Sequence, residues 1–174
     1  MFINQLSRRF FGVIMLAGTL ISSGALAQPL QGQQDFYSQQ QQLAGSWLTT
    51  YDVPAFVIPI PVLLTFTADG SIIETDSPAP TPFGGNIGTL FLSNGHGSWK
   101  QTGKNQFAYT YRKILYAANG NPFGLARTNG AVTLSKDGTQ LHANVDIRFT
   151  DNNGNVIFSA TGTVFGNRIP VEQN

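Results

Sequence analysis

The 174-residue chain has no cysteine. That excludes structural disulfides, thiolate metal ligands, a cysteine nucleophile and lipidation at a signal-peptide cysteine. Only two histidines are present, His96 and His142. With no helical His-Glu-x-x-His spacing and no thiolate to join them, no metal site is expected. There is no Gly-x-Ser-x-Gly elbow, no phosphate-binding glycine loop and no nucleophile paired with a base in the sequence, so no cofactor is expected either. Charged residues make up 11% of the chain, and no basic run follows Arg8-Arg9. The sequence therefore offers neither the clustered cations that replace phosphate counterions on nucleic acid nor a polybasic stretch for an anionic membrane.

The first residues do carry a pattern. Arg8 and Arg9 precede an apolar run from Phe10 to about Ile21, and small residues follow to Ala25-Leu26-Ala27. This reads as a signal peptide cut after Ala27, and it implies a periplasmic or secreted protein. As a membrane span the stretch is too short and is broken by Gly18, Thr19, Ser22, Ser23 and Gly24. Ser7-Arg8-Arg9-Phe10-Phe11 resembles the start of a twin-arginine signal, but two arginines serve a Sec signal equally well. Loss of 1–27 removes two of the ten basic residues and leaves eight against nine acidic ones, a formal charge of −1.

Residues 28–42, QPLQGQQDFYSQQQQ, have too few apolar side chains to bury and read as a flexible leader, with a short helix over 34–43 that plugs a barrel mouth as the alternative. A single domain is expected over 43–170, with 171–174 as a tail. From Leu43 onward, short runs of Val, Ile, Thr, Phe and Tyr alternate with Gly, Asn and Asp clusters. Strands are predicted over 45–52, 62–68, 71–76, 96–101, 106–117, 126–135, 139–150 and 155–167. Hairpin turns are predicted at Asp69-Gly70, Gly103-Lys104-Asn105, Asn119-Gly120-Asn121, Asp137-Gly138 and Asn152-Asn153-Gly154. No helical crossover fits between the runs, so the expected fold is all-β, with eight antiparallel strands in up-and-down order. Closure into a barrel is favoured over a two-sheet sandwich because it removes exposed edges.

Two segments interrupt this order. Pro54, Pro59 and Pro61 cannot donate ladder hydrogen bonds and mark an edge, a bulge or a loop. Residues 77–95 are expected to be a surface loop or, through Phe83, Leu90, Phe91 and Leu92, a lid.

Alternation assigns the faces. Over 139–150, Leu141, Ala143, Val145, Ile147 and Phe149 share the buried side, and His142, Asn144, Asp146 and Arg148 share the solvated one. Over 106–117 both faces carry large groups. If Phe107, Tyr109, Tyr111, Lys113 and Leu115 face inward, the lumen holds two phenols and a lysine, as in a small-molecule pocket; otherwise the phenols only fill space and hydrogen-bond at the rim. Phe158 joins Tyr109, Tyr111 and Lys113 as a candidate ligand contact, and Ala160 and Gly162 beside it leave room either for a ligand or for an opposing aromatic.

Gly45-Ser46-Trp47 on the first strand and Gly166-Asn167-Arg168 on the last resemble the lipocalin and wider calycin group, in which an arginine packs across the tryptophan and shuts one barrel end. The resemblance implies a structural pair of Trp47 and Arg168. The chain is also similar to small exported bacterial proteins sharing Gly-x-Trp, Thr-Phe-x-x-Asp-Gly, His-Gly-x-Trp, Asp-Gly and Gly-x-Arg-Ile, here Trp47, Thr65 to Gly70, His96 to Trp99, Asp137-Gly138 and Gly166 to Ile169. Unlike lipocalins it has no cysteine, and its end at Asn174 leaves no room for a C-terminal helix. A weaker similarity is to allene oxide cyclase-like and dirigent-like barrels. His96, between two glycines and ahead of Trp99, is expected at the rim of a strand entrance, with Trp99 as a structural residue.

Three functions remain open. One is an exported protein that binds a small apolar molecule in its lumen. The second is a cofactorless cyclase or isomerase that uses Tyr109, Tyr111, Lys113 or His96. The third is a barrel that assembles with copies of itself. No nucleic acid is expected as a partner, and no membrane once the signal is removed.

Overall fold

Each of the five turn clusters bends the chain where left-handed backbone is needed: positive φ falls at Gly70, Asn105, Gly120, Gly138 and Gly154. Two turns use the same device. In Thr67-Ala68-Asp69-Gly70-Ser71 and Ser135-Lys136-Asp137-Gly138-Thr139, the Asp carboxylate accepts from the preceding hydroxyl and from the backbone N–H two residues on. These hydrogen bonds hold the Asp69 and Asp137 carboxyls below the usual carboxylate range.

The computed structural model describes residues 42–56, 58–76, 81–83 and 88–172, with the backbone alone for 81–83 and 88. The expected signal peptide and nearly all of the glutamine-rich leader lie outside the described residues. Ten strands are present among the described residues: β1 (Gly45–Asp52), β2 (Ile60–Phe66), β3 (Ser71–Thr75), β4 (Thr81–Phe83), β5 (Gly88–Leu92), β6 (Gly95–Gly103), β7 (Gln106–Tyr116), β8 (Pro122–Leu134), β9 (Gln140–Asp151) and β10 (Val156–Arg168). Eight of them follow one another around a closed antiparallel barrel, β1-β2-β3-β6-β7-β8-β9-β10, and β10 returns to β1 through Trp47↔Arg168 and its neighbours. The sandwich alternative is thereby removed.

Residues 77–95 depart from the expected loop. β4 and β5 pair with each other, and β5 continues the line of β6 along β7, through Phe91↔Tyr116 and Leu92↔Leu115 and then His96↔Arg112. The wall strand is interrupted at Ser93, whose N–H donates to the Ile114 carbonyl and whose Oγ accepts from the Ile114 N–H. Leu90, expected at the surface, is fully buried. Pro61 is tolerated inside β2 because it faces Thr50 of β1 on one side, while the pairing with β3 begins only at Leu63.

Alternation then fills the interior. On β9 all five expected core residues are buried, and on β7 Phe107, Tyr109, Tyr111, Lys113 and Leu115 point inward. One end of the barrel is sealed. Leu43 and Trp47 are wholly buried there, and Trp47 Nε1 donates to the Leu43 carbonyl at 3.0 Å. Phe66, Trp99 and Phe107 pack edge to face around them, with Trp99 Nε1 bonded to the Thr67 carbonyl. The Arg168 guanidinium lies 4.3 Å from the Trp47 ring centroid and donates to the carbonyls of Gly138, Ala44 and Gln42.

That fork closes the sealed end by joining three chain segments through one cation. Arg168→Ala should lower the unfolding free energy by about 2 kcal/mol in urea titrations. Arg168→Lys, which keeps the charge but not the planar fork, should recover less than half of that loss. Equal stability of all three proteins would contradict the assignment.

Candidate functional site

The opposite end holds what an apolar barrel cannot easily accommodate: a lysine. Period-two alternation on β7 sends Lys113 inward in phase with Tyr109 and Tyr111, leaving its side chain 4% exposed. An ammonium so placed needs an opposite charge inside. Two carboxylates from the adjoining wall supply it. Glu74, on β3, reaches Nζ with Oε2 at 2.8 Å, and Asp76, just past that strand, with Oδ2 at 2.5 Å.

Glu74 is the more confined of the two acids. Its side chain is 1% exposed; Oε2 stands at ion-pair distance without hydrogen-bond alignment, and Oε1 makes no hydrogen bond among the described residues. Burial pushes its carboxyl up from 4.5 to about 7; Lys113 opposes the rise and Asp76 adds to it. Gly95, across from Glu74 in the β3–β6 register, makes the arrangement sterically feasible, since a Cβ there would fall 2.7 Å from both Glu74 Oε2 and the Tyr111 ring.

Behind the trio lie three phenols. Tyr51 and Tyr109 share a hydrogen bond at 2.9 Å, and Tyr111 donates to Tyr51 at 3.3 Å. Tyr109 stacks on Tyr111, and its ring lies over β8, where a Cβ on Gly130 would collide with it at 2.2 Å. Burial pushes all three phenols well above their ordinary 10, so they remain protonated hydrogen-bond donors and do not act as bases.

In front of the trio the cavity has a volume of about 50 Å³, lined by Tyr51, Glu74, Tyr111, Lys113 and Thr128 with apolar Phe56, Val62, Leu92, Ala126, Ile147 and Phe149. That is room for a small head group or a few waters, whereas sites for drug-sized ligands run to roughly 300–1,000 Å³. Phe56 narrows the mouth, stacked on Phe158, which also meets Phe149. A larger concavity of about 670 Å³ lies between Asp52, Asn129, Asp146 and Thr161, but it is open to solvent and brings no buried polar group to a point.

Of the residues singled out in the sequence, Tyr111 and Lys113 line the cavity, Tyr109 backs it and Phe158 supports its mouth. Trp47, Trp99 and Arg168 belong to the sealed end. His96 is a correction for the catalytic alternative: it is exposed on the outer wall and pairs with Ile73 and Arg112, so it cannot polarise anything in the lumen. Gly162 is a second correction. A Cβ there would lie 2.5 Å from the Asp52 carbonyl and 2.8 Å from the Val53 side chain, so the chain itself takes up that space and not a ligand. Glu74 and Asp76 were missed. The signal was Lys113 itself, because an inward lysine obliges some neighbouring strand to present an acid.

Among the described residues no group of three or more His, Cys, Asp or Glu could hold a metal ion. No protein-family model, curated protein or solved structure matches the chain.

The Glu74 carboxyl sets a pH dependence whose sign is fixed. Its folded value lies above its unfolded one, so the folded protein holds a proton that the unfolded chain has released. The associated stability is present below about pH 4.5 and is lost as pH rises to about 7, on the order of 3 kcal/mol in all. Glu74→Gln should lack this fall, so urea titrations from about pH 4 to about pH 8 should favour the variant increasingly. Parallel profiles would show that Glu74 does not carry the proton.

Proposed function

We propose that the barrel binds a small, mainly apolar molecule at the end opposite Trp47 and Arg168, with one polar group of that molecule set against Lys113, Glu74 and Asp76. A single observation carries this: a cavity walled on one side by Phe56, Ile60, Val62, Leu92, Ala126, Ile147 and Phe149 presents a buried carboxylate oxygen, Glu74 Oε1, with no hydrogen bond among the described residues, next to a buried ammonium. A buried acceptor left unpaired costs about 1–3 kcal/mol, which a ligand donor, such as an amine or hydroxyl, would offset. The sealed end supports the same view, since a barrel shut at one pole and polar at the other admits guests from one direction. Its tryptophan–arginine arrangement also supports placing the chain near the lipocalin and calycin group.

The available volume sets a condition on the guest. A compact head group fits beside Glu74, and any longer apolar body has to displace Phe56 from its stack on Phe158. We further propose that the protein reaches this ligand outside the cytoplasm, after removal of 1–27; the intact mass of protein recovered from its host tests the cleavage after Ala27.

One observation favours a second reading, a cofactor-free isomerase or cyclase. A buried carboxyl near 7 beside an ammonium at 2.8 Å is matched to moving protons at neutral pH. In that case Glu74 is the base and Lys113 the electrostatic partner, while the phenols only hold the pocket's shape.

Native mass spectrometry of protein isolated from its host should reveal a retained small molecule, and calorimetry with short apolar amines and alcohols should detect binding. Phe56→Ala should widen the range of accepted sizes. Lys113→Met together with Glu74→Gln should weaken binding of the polar-headed compounds by at least tenfold. If neither the parent nor Phe56→Ala retains or takes up any compound, the lumen is not a binding site.

A further inference from the structure

The barrel register assembles a second feature on the outer wall. Arg112, Arg127 and Arg148 lie 15 and 21 residues apart in the chain, yet they are direct cross-strand partners: Arg112↔Arg127 between β7 and β8, and Arg127↔Arg148 between β8 and β9. His96 extends the row on β6, opposite Arg112. Directly opposed residues stand about 5 Å apart, and like charges so placed are destabilising. Little relieves them. The one ion pair these arginines make among the described residues is a long contact of 3.8 Å between Arg127 Nη2 and Asp146 Oδ1, and Arg127 Nε has no hydrogen-bond partner.

A second row runs beside the first, one step nearer the open end. Ile114↔Leu125, Leu125↔Thr150 and Thr150↔Val156 are cross-strand partners. Ile114, Leu125 and Val156 are 42%, 43% and 54% exposed. Phe91, also exposed, adjoins them through its pairing with Tyr116. Below the polar hairpin turns at 117–121 and 151–155, then, this side of the barrel presents apolar side chains and next a belt of arginines.

We propose that this wall docks on an anionic phospholipid surface, with the arginine belt at the phosphates and the apolar row in the acyl boundary. Charge complementarity selects the partner's sign. The neighbouring apolar row selects a lipid over a soluble polyanion, because a polyanion makes no use of Ile114, Leu125 and Val156. The chain's near-neutral total charge is no obstacle, since local potential depends on arrangement. The surface stands independently of whether the lumen holds a ligand, though it directs the mouth toward the membrane.

The full chain, tested by vesicle sedimentation, should partition onto phosphatidylcholine vesicles containing phosphatidylglycerol more strongly than onto phosphatidylcholine alone, and added salt should weaken the difference. Each arginine near such a surface contributes about fivefold, so the Arg112→Gln, Arg127→Gln, Arg148→Gln triple variant should lose about a hundredfold. Leu125→Ser with Val156→Ser should weaken binding several-fold with the salt dependence unchanged. All variants share residues 1–41, so the differences report on the wall alone, and the emission of buried Trp47 and Trp99 verifies that each is folded. Equal binding to both vesicle types, or a triple variant that binds like the parent, would overturn the proposal. So would a row that binds DNA or inorganic phosphate but not vesicles, which would reassign it to a soluble anion.

Discussion

A closed sheet gives every strand residue one of two destinations, and the chain's chemistry follows from that constraint. Strand residues alternate between lumen and solvent, and a barrel has no edge at which a misplaced group can escape. Lys113 is therefore committed to the interior by its phase with Tyr109 and Tyr111, and Arg112, one residue away, is committed to the outside. The inner ion trio and the outer arginine belt arise from consecutive residues of the same strand.

The two poles divide the work. At one, Arg168 donates to three backbone carbonyls and lays its face on Trp47, so that cation is engaged in holding the structure. At the other, Lys113 has two acids within reach, one of which still presents an oxygen without a hydrogen bond. The first is a closure and the second an unfinished constellation. One cation is held by backbone carbonyls and the other by two carboxylates.

Much of the architecture was legible because it is written locally. Asp-Gly and Asn-Gly clusters announced the hairpins, and alternation over 139–150 named a face that the structure buries residue by residue. What stayed hidden depends on register. Nothing in Ser71-Ile72-Ile73-Glu74-Thr75 distinguishes which isoleucine faces the core, so the inward direction of Glu74 becomes visible only once β3 is set against β6. Arg112, Arg127 and Arg148 are likewise dispersed in the chain, and only the register brings them side by side. Residues 77–95 misled differently: Gly and Pro punctuation there surrounds a short strand whose burial of Leu90 comes from its neighbours and not from its own pattern.

The sealed pole also governs where the chain can be handled. Gln42 enters beneath the Arg168 guanidinium, and Ile169 leaves with its N–H on the Ser46 carbonyl, so the described chain begins and ends on the side away from the cavity. A fluorophore or an affinity handle joined at Gln42 or Glu172, the ends of the described chain, would accordingly sit on the side away from the cavity. Such a label would leave the wall and the Lys113 end of the barrel unchanged.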